Sequence, residues 1–122
     1  MLKFPTLDEV LSFHNRLDDG FGVKDWGALE SIVNGHSPTW GRVDLKPSFS
    51  EKAAHYWCKF TQFHSFVNGN KRMGVIVLLD FLYINGYEHG FSHQELIDLS
   101  LAIAEGVYTE EEVAVLIQNN IH

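Results

Sequence analysis

Four Ser/Thr-x-x-Glu tetrads punctuate the chain, each just ahead of apolar residues at helical spacing: Thr6 to Glu9, Ser48 to Glu51, Ser92 to Glu95 and Thr109 to Glu112. In such a tetrad the hydroxyl accepts from the third helical N–H and the carboxylate reaches back to the cap N–H. One match is weak evidence, but four within 122 residues predict an all-α chain. Only a small hairpin around residues 40 to 45 competes with that reading.

Helical periodicity fills in the rest. A first helix is expected over about residues 7 to 17, where Leu7, Val10, Leu11, His14 and Leu17 share a face, with Gly20 and Gly22 as breakers behind it. A short helix over about 26 to 33 has Asp25 as its cap and ends at Asn34-Gly35. Residues 36 to 48 form the longest irregular stretch, the kind of loop that tends to carry function. A third helix is expected over about 50 to 63. The fourth, over about 70 to 84, is apolar nearly all round, which marks it as the buried central helix. Helices over about 93 to 105 and 110 to 119 complete a single compact domain of about six, spanning residues 1–122.

Composition narrows the function classes. An apolar fraction of 45% with 20% charged residues is that of a folded domain. The longest unbroken apolar run, Val75 to Leu79, is far too short for a membrane span. The first residues lack the apolar stretch of a signal peptide, so a cytoplasmic location is expected. Cys58 is the only cysteine, which excludes an internal disulfide and a cysteine-based metal site. The net charge of −7 disfavours direct nucleic-acid or acidic-membrane binding. Between Glu51 and Asp80, however, there is no acidic residue, while Lys52, Lys59, Lys71 and Arg72 all fall in that window. A small-anion site and a plain core both explain this pattern.

The segment from His64 to Arg72, His-Ser-Phe-Val-Asn-Gly-Asn-Lys-Arg, favours the anion. Gly69 permits a positive φ or a close backbone approach. Asn70 can cap the helix that follows, whose first N–H groups lack intrahelical partners and carry partial positive charge. Lys71 and Arg72 add two full charges there, locally unfavourable at a helix N-terminus unless an anion neutralises them. His64 can take a proton from a hydroxyl, since an imidazole titrates near neutral pH. Phe66 is expected to insert into the core and hold base and anion cradle at a fixed separation.

His64-x-Phe66-x-Asn68-Gly69-Asn70-Lys71-Arg72 resembles the signature of the Fic/Doc superfamily, in the form of its death-on-curing (Doc) branch. Lys71 stands where the larger Fic branch has a second glycine. The likeness extends to Gly20-Phe-Gly-Val-Lys-Asp25, Leu29-Glu-Ser31 and Glu51-Lys-Ala-Ala54 upstream, and through Phe81 to Gly86 downstream. The resemblance implies the Fic/Doc fold and an ATP-dependent transferase. In Doc, a toxin paired with an antitoxin protein, the γ-phosphoryl passes to a threonine of elongation factor Tu. Most Fic proteins instead transfer AMP, and a catalytically weak nucleotide- or partner-binding module is a further alternative. Carried over, His64 is the general base, and Gly69, Asn70, Lys71 and Arg72 hold the phosphates. The loop from His36 to Lys46 corresponds to the flap that docks the target chain.

Two departures stand out. Asn68 replaces the acid that usually helps to hold Mg²⁺, and a neutral amide weakens such a site without abolishing it. Met73-Gly74 replaces the Thr-Ala pair common after the motif. Elsewhere, His14 and His55 read as packing or surface residues. Trp26, Trp40 and Trp57 read as core or loop anchors, Asp80 as paired with a buried partner, and Cys58 as a small buried hydrophobe.

Overall fold

A computed structural model of the chain describes residues 1–17 and 22–122. The elements run α1 (Leu7–Asn15), α2 (Trp26–Asn34), β1 (Thr39–Trp40), β2 (Val43–Asp44), α3 (Phe49–Gln62), α4 (Asn70–Ile84), α5 (His93–Ala104) and α6 (Glu110–Gln118). Among the described residues, six helices and one two-stranded hairpin make an all-α architecture. No described helix is long and apolar enough to cross a membrane.

All four tetrads form reciprocal capping boxes, at α1, α3, α5 and α6. Asp25 caps α2 by accepting from the Ala28 N–H at 3.0 Å. The first helix ends two residues before its expected limit, because the chain tightens there. Arg16 donates to the Phe13 carbonyl and Leu17 to that of His14, three residues back in each case. Gly20, the expected breaker, lies outside the described residues, while Gly22 adopts a φ of 96°. In the hairpin, Thr39 pairs with Asp44 and Trp40 with Val43, and Gly41 makes the turn with a φ of 64°.

Helix α4 packs against α1, α3 and α5, burying Met73, Val77, Leu78, Phe81 and Leu82. The structure refines the expectation for this helix. Lys71 and Arg72 are exposed rather than buried in apolar surroundings, and Val75, Ile76 and Leu79 are only partly covered. The partial cover leaves an apolar cleft of about 340 Å³ between α4 and α5. Helix α3 is more deeply buried: Ala53, Ala54, Tyr56, Trp57, Cys58 and Phe60 all lie in the core. Gly74 explains how closely the two helices meet. A Cβ there would lie 3.0 Å from the Trp57 carbonyl oxygen and collide with the Thr61 hydroxyl.

Polar residues on α3 are buried with partners. Lys52 Nζ donates to the Asp44 carboxylate and to the Lys46 carbonyl, each at 2.6 Å, tying the hairpin to the helix. His55 Nε2 donates to the Ile32 carbonyl at 2.8 Å, and Lys46 Nζ approaches its Nδ1 at 3.0 Å. Burial holds the His55 pKa down to about 4. Burial likewise pushes the Cys58 thiol up to about 12, so it acts as an inert apolar group.

Two expectations are corrected. Asp80 has no ion-pair partner among the described residues: its Oδ2 is shielded from solvent and meets no hydrogen-bond donor. Desolvation, with the Glu9 charge nearby, raises its pKa, so Asp80 gains protons more readily instead of being neutralised by a cation. Trp40 and Trp26 are not core anchors, being 80% and 53% exposed, whereas Trp57 is wholly buried and donates to the Ser100 hydroxyl.

Candidate active site

The bend between α3 and α4 is held from three sides. The segment after Gly22 pairs with it: Val67 donates to the Gly22 carbonyl at 3.0 Å, and the Lys24 and Asp25 amides both donate to Ser65. From within, the Asn70 side chain closes on Phe66, accepting from its N–H at 3.1 Å and donating to its carbonyl at 3.0 Å. From below, the wholly buried Phe66 ring stacks on His14 of α1, centroids 3.9 Å apart. Phe66 is thus the core anchor expected of it.

Asn70 does not cap α4. The cap residue is Gly69, in the left-handed region at φ 75° and ψ 15°, which has no side chain to bond the first amides. The Asn70 side chain commits its oxygen and one of its two amide hydrogens to the loop, so it offers an anion its second amide hydrogen and its main-chain N–H. Helix α4 therefore begins with N–H groups that lack intrahelical acceptors and receive no side-chain bond from their cap residue.

A cavity of about 400 Å³ opens at this helix start, lined by His64, Asn68, Gly69, Asn70, Lys71 and Arg72, with α3 and Ala104 of α5 completing its walls. The structure brings every motif residue except the buried anchor to this one cavity. His64 is exposed on its rim, two residues beyond α3 rather than on it. Its surroundings are polar, and no carboxylate lines the cavity among the described residues. A helix N-terminus, two exposed cationic residues and a solvent-facing imidazole converge, which suits an anionic ligand beside a group that loses a proton. The apolar cleft between α4 and α5 adjoins this cavity, because Lys71 and Arg72 line both.

Two features escape sequence reasoning. One is His14, buried at 1% exposure, whose Nε2 lies 3.1 Å from the Asn68 carbonyl oxygen. Its place on the apolar face of α1 signals burial, but not the contact partner 54 residues away. The other is the apolar cleft, whose α5 wall includes Leu96, Ile97 and Leu101. No group of three His, Cys, Asp or Glu side chains able to hold a metal forms among the described residues.

A family model described as the Fic/DOC family matches residues 4–82, a span from the segment before α1 almost to the end of α4. No curated protein matches the chain.

Proposed function

The chain belongs to the Fic/DOC family, whose members are typically transferases acting on nucleotides and proteins, and from that premise we propose that it transfers the γ-phosphoryl of ATP to a Ser or Thr hydroxyl of a protein. Elongation factor Tu is the first target to test, and an antitoxin protein is the partner expected to restrain the activity. The single observation that carries the proposal is the cavity that His64 shares with the start of α4.

In this reading the amides of Gly69 to Arg72, with the Lys71 and Arg72 side chains, hold the phosphate oxygens. Phosphoryl transfer needs positioning and charge stabilisation more than covalent help, and these groups provide both. His64 takes the proton from the incoming hydroxyl as its oxygen bonds to phosphorus, and ADP leaves. The apolar cleft of about 340 Å³ offers a surface for the purine. The hairpin presents exposed Trp40, Val43 and Leu45 and free strand edges to an extended target segment. Lys71 supports phosphoryl over AMP transfer, since it puts a charged side chain where AMP-transferring relatives have glycine.

Mg²⁺ normally accompanies ATP. The cavity offers it Asn68, a neutral amide, and no carboxylate among the described lining residues. Such a donor set fits an ion carried mainly by the triphosphate and held weakly by the protein. That same observation favours a second reading, nucleotide binding without turnover. ATP labelled at the γ or the α position separates the reactions when incubated with the protein and elongation factor Tu. Label retained only from the γ position is the expected result, and α-label would mean AMP transfer. Asn68→Asp is expected to raise the rate several-fold and lower the Mg²⁺ requirement. A wild type without turnover that Asn68→Asp activates would establish the binding-module reading instead.

A further inference from the structure

The catalytic proposal makes no use of His14, yet the structure packs this residue against three consecutive features of the phosphate loop. Its ring lies on Phe66 with planes 10° apart. Its Nε2 is 3.1 Å from the Asn68 carbonyl oxygen. A carbonyl oxygen only accepts, so Nε2 carries the hydrogen and donates. The same nitrogen borders Gly69: a Cβ added there would lie 3.9 Å from it and 3.0 Å from Leu17 Cδ1. Helix α1 thus forms the floor beneath residues 66, 68 and 69.

The consequence follows from the planarity of the peptide bond. In a trans peptide the carbonyl and the next N–H point in opposite directions. With the Asn68 carbonyl drawn down to His14, the Gly69 N–H is turned away from α1. Glycine at the following position leaves that peptide free to flip when nothing holds it, because both signs of φ are open to it. We propose that His14 is a positioning residue: its Nε2–H locks the 68–69 peptide so that the Gly69 N–H faces a bound phosphate. This inference rests on the reading of the cavity as a phosphate site, and it assigns the α1 histidine a role in that site.

Two substitutions separate the hydrogen bond from packing. His14→Phe keeps a ring against Phe66 and removes the donor; His14→Gln keeps an N–H at similar reach and removes the ring. ATP binding is measured by calorimetry beside the thermal midpoint of each protein. His14→Phe is expected to bind ATP about tenfold more weakly at a near-native midpoint. His14→Gln is expected to bind within about threefold of wild type despite a lower midpoint. Affinity that follows the midpoint in both variants, or wild-type affinity in His14→Phe, overturns the proposal. If His14→Phe does not fold, His14→Met supplies the donor-free variant. If the wild type binds no ATP, the phosphate reading fails, and the Gly69 amide resonance decides the inference separately. One sharp resonance in wild type and His14→Gln, but a shifted or exchange-broadened one in the donor-free variant, supports the lock; an unchanged resonance refutes it.

Discussion

His55 shows how a polar residue is made tolerable in the interior and what that costs in acid. It is buried, donates from Nε2 to the Ile32 carbonyl and faces Lys46 at Nδ1, so it is held neutral with a pKa of about 4. In the unfolded chain its pKa returns to about 6.5. Between these values the unfolded state binds the extra proton. The stability tied to neutral His55 is therefore complete above about pH 6.5 and drains away as the pH falls toward 4. The loss amounts to about 3 kcal/mol over that interval. Urea midpoints of wild type and His55→Gln at pH 7, 5.5 and 4.5 check this: the wild type should lose more stability on acidification than the variant. Parallel slopes would mean that His55 does not control the acid limb. At this scale the sequence was legible where a residue acts locally. Thr6, Asp25, Ser48, Ser92 and Thr109 all cap as their spacing predicts, since a cap needs only its own next turn. His14, His55 and Lys52 were opaque because their partners come from other elements, and nothing local in the sequence encodes those meetings.

At the scale of elements, the α3–α4 contact sets where the bend between the two helices begins and ends. Helix α4 was expected to be the buried central helix, yet α3 is the more deeply buried of the two. Its buried charge is satisfied from the hairpin: Lys52 is buried because Asp44 and the Lys46 carbonyl come to it. The Met73-Gly74 departure finds its reason in the same contact. Gly74 sits against Trp57 and Thr61, where even a methyl group meets main-chain oxygen at 3.0 Å. Gly74→Ala sets a helix-propensity gain of about 1 kcal/mol against an overpacking cost of about 1–3 kcal/mol. The net expectation is a loss of up to about 2 kcal/mol together with a displaced loop. Chemical denaturation measures the loss. A variant more stable than wild type would show that the two helices separate easily, contrary to the close packing described. The start of α4 was legible to the residue, but its cap was not: Asn70 was the expected cap, and the fold turns its side chain back onto Phe66 and leaves Gly69 in that place.

For the whole molecule, α1, the segment after Gly22, α3 and α4 act as a frame around one short bend. The family match spans that frame and stops before α5, whose apolar side chains complete the adjoining cleft. The all-α fold was legible from capping and periodicity, whereas the cleft depends on how much of Val75 and Ile76 α5 leaves uncovered. The central claim is that one cavity joins a proton acceptor to a phosphate cradle. Phosphate transfer from γ-labelled ATP to elongation factor Tu by wild type and His64→Ala tests it most directly. Labelling by the wild type, and a loss of at least about a hundredfold in a His64→Ala protein with unchanged ATP affinity and thermal midpoint, is the predicted result. Equal labelling by the two proteins would contradict it.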